Sequence, residues 1–116
     1  MGARSSAGMA SWILQAITGV LLIPLVGLHW VAQHFLAVGG LRDFAQVVDY
    51  LRTPPVFALE TAFLVVVTTH ALLGVRAVIL DLGPSPRTLR LSDLALVLVG
   101  IGAVGYGLAL TLALIR

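Results

Sequence analysis

The sequence lacks cysteine and lysine, and it carries little charge of either sign. With no cysteine among its 116 residues, this chain can supply no disulfide bond, thiolate zinc site or iron–sulfur cluster ligand. Charged residues make up only 10% of the chain, whereas roughly 25–35% of a soluble protein's surface is normally charged. All 7 basic residues are scattered arginines and form no stripe that could follow phosphates. These absences argue against a water-soluble domain and against a nucleic-acid partner.

Apolar sequence is what the chain has in abundance, since 59% of it is hydrophobic. A membrane helix needs about 20 apolar residues, so the length allows three spans. The sequence predicts a single all-α integral membrane domain over residues 1–116, with transmembrane helices at about 12–38, 56–80 and 94–115. Pro24 should kink the first helix, and Ser92 and Asp93 are predicted as the N-cap and first-turn acid of the third.

The segment between the first two spans has an amphipathic pattern. It runs from Gly39 to Pro55, and its apolar residues fall on one helical face: Leu41, Phe44, Val47, Val48 and Leu51. The pattern predicts a short helix lying in the membrane interface, with an ordinary connecting loop as the alternative. The Pro-rich connection from Asp81 to Ser92 makes the second and third spans antiparallel neighbours. In the third span, Gly105, Ala109 and Ala113 recur at four-residue spacing with Gly100, Gly102 and Gly107 nearby, and these small residues predict close helix packing.

Five ionisable residues fall inside the predicted spans: His29, His34, Glu60, His70 and Arg76. Each costs a few kcal/mol in hydrocarbon, so each is a functional candidate. Neutral imidazole is the usual axial ligand of a b-type haem, but a membrane histidine can also serve as a hydrogen bond between helices. The spacing alone leaves both interpretations open.

The depths of the histidines limit how they could bind a haem. His70 lies about 15 Å from the Asp81 end of its span and His29 about 25 Å from the Trp12 end, and these two ends share a membrane face. The depths therefore differ by about 10 Å, so one iron cannot bind both, and each would need a histidine from a partner subunit. His34 is about 140° around the helix from His29 and is expected to make a surface or propionate contact instead.

Further along the second span, Arg76 is a candidate partner for haem propionates. It lies about 9 Å beyond His70 toward Asp81, and arginine pairs well with carboxylates. For Arg76 and Asp81 the alternative is snorkelling and helix-end charge. Gly74, one turn after His70, leaves room for a macrocycle or another backbone. Glu60 is predicted to be interfacial, with a proton relay as the alternative.

The order H-x3-G-x-R-x4-D-x-G is formed by His70, Gly74, Arg76, Asp81 and Gly83. It resembles the second-helix signature of succinate dehydrogenase membrane-anchor cytochrome b subunits, of C or D type. The resemblance implies that His70 ligates haem b and that Arg76 lies near the propionates. Thr18-Gly19 followed by His29 is similar to the first-helix motif of anchors with two haems.

The chain departs from that family at two positions. Gln15 and Ala16 stand where an arginine that helps bind quinone would be sought, and Leu82 follows Asp81 where the other small anchor subunit often has tyrosine. The departures imply that the partner anchor or the iron–sulfur subunit supplies most of the quinone site. The residues of this chain expected in its vicinity are Trp12, Gln15 and Asp81.

As a whole, the resemblance implies a non-catalytic membrane anchor of succinate:quinone oxidoreductase or fumarate reductase. Its partners would be a second anchor subunit, an iron–sulfur subunit and a flavoprotein, with FAD and the iron–sulfur clusters held by those partners only. One or two haems b would be shared with the second anchor, and quinone would accept the electrons. The chain would lie in the inner (cytoplasmic) membrane with a cytoplasmic N-terminus, and the placement of Arg4, Arg87 and Arg90 agrees weakly. The alternatives are a small ion-coupled transporter that uses Glu60 or Arg76, and a haem-free structural anchor.

Overall fold

The described part of the chain forms four α-helices. The structure, a computed structural model, describes residues 6–116, and Arg4 lies outside them. The helices are α1 (Ser6–His34), α2 (Phe44–Arg52), α3 (Pro54–Asp81) and α4 (Pro86–Ile115). Helices α1, α3 and α4 are long and apolar enough to cross a membrane. Since the described residues contain no strand, the predicted all-α architecture of three spans and one short helix is confirmed.

The helix ends differ from the predicted span ends where the chain is polar or rich in glycine. Helix α1 is continuous through Pro24 and ends at His34, before a loop in which Gly39 and Gly40 adopt φ of +87° and +86°. Helix α4 begins at Pro86, so the predicted N-cap Ser92 is wrong. Ser85 is the N-cap instead, and its hydroxyl accepts a hydrogen bond from the Thr88 N–H at 3.2 Å. The early charged residues of α4 resemble a loop in sequence, but they form turns of the helix that precede its apolar part.

The predicted short amphipathic helix is present as α2. Asp43 caps it, with reciprocal hydrogen bonds to Gln46 of 2.9 and 3.0 Å. The predicted apolar face is only partly correct, because Phe44 is 72% exposed and the buried residue is Tyr50. At its other end, Arg52 donates to the backbone carbonyls of Ile115 and Arg116. Helix α2 is thereby fixed at the end of the molecule where α4 finishes.

Helix α3 is the centre of the arrangement. It packs against α1, α4 and α2, whereas within the described residues no Cα atom of α1 comes within 8 Å of one in α4. Among the residues whose burial is described, few are buried, and they are Thr18, Ala32, Ala37 and Tyr50. The outer faces of the three long helices are therefore apolar and exposed, which suits contact with lipid or with other membrane subunits.

The predicted close packing of α4 on α3 uses the glycines beside the four-residue stripe, and not the stripe itself. A Cβ added at Gly100 would lie 2.7 Å from Leu72 Cδ1, and one added at Gly107 would lie 2.7 Å from Leu64 Cδ2. A Cβ at Gly105 would meet nothing within 4 Å. The Gly105, Ala109 and Ala113 stripe therefore does not form the α3–α4 contact, because the rotation of α4 about its axis turns Gly100 and Gly107 toward α3.

Candidate functional site

His70 is held from α1 by a buried threonine. Thr18 Oγ1 lies 3.1 Å from His70 Nδ1, and Thr18 is only 5% exposed. The same oxygen lies 2.8 Å from the Leu14 carbonyl oxygen, to which the hydroxyl donates its one proton. His70 must then donate its Nδ1–H to Thr18. This fixes the imidazole in the tautomer whose Nε2 carries a free lone pair, which is the form that binds a metal.

Gly19 completes the seat of the His70 ring. A Cβ at position 19 would lie 3.2 Å from His70 Cε1, closer than an ordinary van der Waals contact. The sequence pattern associated Thr18-Gly19 with His29, whereas the structure places both residues against His70. The Thr-Gly pair therefore positions the histidine of the neighbouring helix.

His29 is held by a carboxylate instead of a hydroxyl. Its Nδ1 lies 2.7 Å from Glu60 Oε2 and 3.0 Å from Oε1, and its ring centroid is 4.8 Å from that of Phe63. Glu60 Oε1 also accepts a 2.6 Å hydrogen bond from the Tyr50 hydroxyl. An ionised Glu60 accepts the Nδ1–H of His29, so here too Nε2 is the nitrogen left with a lone pair.

Tyr50 links this cluster to the short helix α2. Burial, followed by the hydrogen bond to Glu60, raises the pKa of the Tyr50 phenol above its usual range, so the hydroxyl stays a donor. The Arg42 guanidinium lies 4.1 Å from the Tyr50 ring centroid and donates a 2.9 Å hydrogen bond to the Ala32 carbonyl. That carbonyl is one of the last of α1, so Arg42 both caps α1 and packs on Tyr50.

The two histidine sites lie at different depths in the membrane. Glu60, which marks the His29 site, and His70 are ten residues apart on α3, or about 15 Å along the helix axis. An iron bound by two imidazoles would need both within about 4 Å of each other. His29 and His70 therefore cannot share one iron in this chain.

Arg76 has a partner that the sequence analysis missed. Its Nε and Nη2 lie 2.7 and 3.2 Å from the two carboxylate oxygens of Asp93 on α4. Asp93 was interpreted as a first-turn acid of the third span, but it lies well inside α4 and joins it to α3. The pair leaves Nη1 of Arg76 free of this contact, so a guanidinium edge remains for another acceptor.

A groove between α1 and α3 brings together the residues predicted near quinone. It has a volume of about 490 Å³ and contains Trp12, Gln15 and Asp81 together with Arg76. Gln15 Oε1 is buried and has no hydrogen-bond partner among the described residues. A Cβ at Gly74 would lie 3.6 Å from Gln15 Nε2, so a side chain of α1 faces that glycine, and not another backbone. The groove thus combines small-molecule size with an unsatisfied acceptor.

His34 is separate from both histidine sites. It lies on the exposed last turn of α1, with its ring centroid 5.6 Å from that of Trp30. Within the described part of the chain, no group of three or more His, Asp or Glu residues could enclose a metal ion. His29 and His70 each stand singly in this part of the chain.

Comparison with known proteins gives one consistent family. Residues 2–107 match the family described as Succinate dehydrogenase/Fumarate reductase transmembrane subunit. A protein of Archaeoglobus fulgidus named succinate dehydrogenase hydrophobic membrane anchor subunit is 34% identical over 108 residues, covering 93% of this chain and 92% of that relative. A protein of the same name from Thermoplasma acidophilum is 26% identical over 109 residues, covering 94% and 89%. No solved structure matches the chain significantly.

Proposed function

Because this chain belongs to the Succinate dehydrogenase/Fumarate reductase transmembrane subunit family, we propose that it is a haem-holding anchor that helps pass electrons to quinone. In this role it does no substrate chemistry. Succinate and fumarate are interconverted on FAD in a flavoprotein partner, and an iron–sulfur subunit connects that centre to the membrane. A second anchor subunit packs on the exposed apolar faces of the three spans.

The observation that carries the haem assignment is the hydrogen bond from His70 Nδ1–H to Thr18. Metal-binding histidines nearly always donate their other ring N–H to a fixed acceptor, which sets the tautomer and the ring orientation. Thr18 supplies that acceptor, and Gly19 leaves room for the ring. When bound, haem b supplies a one-electron carrier at this depth. His70 and a histidine of the second anchor would hold its iron.

His29 fits the same role for a second haem, nearer the other face of the membrane. Its Nδ1 is occupied by Glu60, and Nε2 keeps the lone pair. Since one iron cannot reach both histidines, each haem would take one ligand from this chain and one from its partner. Arg76 would bind the propionates of the haem at His70 through Nη1, while Asp93 holds the rest of its guanidinium.

Quinone binds near the groove of Trp12, Gln15 and Asp81. Gln15 lies three residues, or about 4.5 Å, before Thr18 on α1, so the groove adjoins the haem at His70. Gln15 and Trp12 line the groove, so a rotation of the Gln15 carboxamide lets it bond to a quinol hydroxyl, and the Trp12 indole N–H can donate to a quinone carbonyl. The partner subunits complete this site.

The arginines on the α3–α4 side of the chain support a cytoplasmic N-terminus. Arg87 and Arg90 lie exposed in the first two turns of α4, next to the turn that follows Asp81. Arg42 and Arg52 lie at the opposite end, and both are engaged with backbone carbonyls at the ends of α1 and α4. The arginines at the Asp81 end of the chain outnumber those at the opposite end, which are Arg42, Arg52 and Arg116, by one, and by the positive-inside rule this small excess favours the cytoplasmic side for the Asp81 end.

The transporter alternative has no support from the geometry. It needs Glu60 or Arg76 to bind an ion, yet Glu60 contacts His29 and Tyr50, and Arg76 contacts Asp93. Both side chains thus already have counter-groups. The following experiment distinguishes a haem-free anchor from the haem-holding anchor that we propose.

The experiment replaces His70 by alanine in the intact complex and measures haem as the pyridine haemochrome per flavin. We expect one haem to be lost, because the only iron ligand of that site in this chain is gone. His34→Ala is the matched control and should keep its haem content, since His34 is exposed and lies about 7.5 Å along α1 from His29 and about 140° around the helix. Full haem retention in His70→Ala would contradict the assignment, and a wild-type complex with flavin but no haem would identify a haem-free anchor.

A further inference from the structure

We propose that Glu60 and Tyr50 are positioning residues for His29, and that their charge and hydrogen bonds lower the reduction potential of the haem that His29 ligates. This inference rests on the proposed function, because it needs a haem at His29. It assigns a task to the interfacial helix α2, which contributes no metal ligand, and to Glu60, the one acidic residue of the membrane-spanning part of α3.

The geometry of Glu60 fits a carboxylate that orients an imidazole. Its side chain is 17% exposed, against 33% for His29. Oε2 lies 2.7 Å from His29 Nδ1, while Oε1 takes the 2.6 Å hydrogen bond from Tyr50. Each carboxylate oxygen therefore has its own donor, and the plane of the carboxylate is fixed by two helices at once.

Tyr50 is itself held in place. Its ring is buried at 8% exposure and lies under the Arg42 guanidinium, which donates to the Ala32 carbonyl near the end of α1. Arg42 thus couples the position of Tyr50 to α1, the helix that carries His29. A shift of α2 would move the Tyr50 hydroxyl away from Glu60 and loosen the orientation of the imidazole.

The contrast with His70 shows what the carboxylate adds. Both histidines have an acceptor at Nδ1, but that of His70 is the neutral hydroxyl of Thr18. An ionised acceptor draws the Nδ1 proton more strongly and makes the ligating Nε2 more basic. A more basic ligand, beside a partly buried negative charge, stabilises the ferric over the ferrous iron. Glu60 should therefore lower the potential of the haem at His29 and leave the haem at His70 nearly unaffected.

The test is redox titration of the purified complex, following the haem absorbance bands. Glu60→Gln keeps the size and an acceptor oxygen but removes the charge, and it should raise the potential of one haem only. His29→Ala identifies that haem by removing it. Asp49→Asn is the matched control, because it removes a carboxylate from α2 whose side chain is 80% exposed and which does not contact His29. It should leave both potentials unchanged.

Tyr50→Phe provides a second readout that does not depend on Glu60→Gln assembling. It keeps the charge but removes the orienting hydrogen bond, and it should shift or broaden the low-spin ferric electron paramagnetic resonance signal of the haem at His29. If Glu60→Gln loses that haem, this spectrum decides: an altered signal supports the inference and an unaltered one overturns it.

The remaining outcomes distinguish a failure of this inference from a failure of the proposed function on which it rests. Glu60→Gln with both haems and unchanged potentials overturns the positioning role alone. His29→Ala with full haem content overturns the positioning role together with the second haem, and leaves the assignment of His70 standing. If neither His29→Ala nor His70→Ala loses haem, both proposals are overturned.

Discussion

Arg76 and Asp93 form a two-point ion pair between α3 and α4, with Nε–Oδ1 and Nη2–Oδ2 distances of 2.7 and 3.2 Å. The Arg76 side chain is 23% exposed and that of Asp93 is 39% exposed. The pair stands near the end of α3, where the two helices diverge into the turn that joins them. It therefore fixes the rotation of α4 relative to α3 and holds the Arg76 guanidinium beside the groove that contains Gln15.

Replacing Asp93 by alanine should destabilise the anchor by about 1–2 kcal/mol, between the values typical of exposed and of buried ion pairs. The cost arises because the partly buried Arg76 loses its partner. Asp49→Ala is the matched control: its pair with Arg52 is 3.9 Å long and both side chains are more than half exposed, so it should cost under about 0.5 kcal/mol. The measurement is the melting midpoint of the complex in detergent. Equal shifts for the two variants would show that the Arg76 pair adds nothing.

Thr18→Val should weaken haem binding at His70 by about 10–100-fold without removing the histidine. Valine has nearly the same shape as threonine but leaves His70 Nδ1–H without its acceptor, so neither ring orientation nor tautomer is fixed. Thr18→Ser keeps a hydroxyl acceptor and should bind the haem as the wild type does. Thr69→Val is the control, because Thr69 precedes His70 and bonds only to the Val65 carbonyl of its own helix. Haem content after dilution or competition gives the readout, and unchanged retention in Thr18→Val would refute the positioning role.

The long helices could be predicted from sequence because the hydropathy and length of a span depend only on the order of residues along the chain. Pro54, Gly83 and the Gly39-Gly40 pair mark where helices begin or end. The start of α4 was missed because Arg87 and Arg90 precede the apolar run. Tyr50 was missed because an aromatic residue in a short amphipathic helix carries no sign of a specific acceptor.

The cross-helix pairs depend on how each helix is rotated about its axis, which the sequence does not state. Counting residues from the helix ends, to compare depths in the membrane, could have suggested one of these pairs. His29 lies about 7.5 Å from the end of α1, and Glu60 about 9 Å from the start of α3 at the same face. An acidic side chain and a histidine at the same depth on neighbouring helices favour a contact between them. The contact of Thr18 with His70 gives no such signal, because threonine is common in membrane helices and often bonds only to its own backbone.

Gln15→Leu should raise the apparent KM for quinone several-fold while the haem content stays the same. Leucine fills the same space in the groove but cannot accept from a quinol hydroxyl or donate to a quinone carbonyl. Gln33→Leu, on α1 outside the groove, is the matched control and should leave KM unchanged. Steady-state quinone reduction by the intact complex measures the effect. If both variants keep the wild-type KM, the groove of this chain does not contact quinone.

The absence of cysteine makes the packing of α3 on α4 directly testable by crosslinking, since every thiol in the chain would be an introduced one. The pairs Leu72→Cys with Gly100→Cys and Leu64→Cys with Gly107→Cys should oxidise readily, because a Cβ at either glycine would lie 2.7 Å from the facing leucine side chain. Leu72→Cys with Gly102→Cys is the control and should stay reduced, since a Cβ at Gly102 meets nothing within 4 Å. The crosslink is read as a mobility shift of this chain after mild oxidation in membranes. Equal crosslinking rates for the Gly100 and Gly102 variants would mean that α4 is rotated differently about its axis. The Arg76–Asp93 pair would then be wrong as well, because Asp93 and Gly100 lie seven residues apart on the same face of α4.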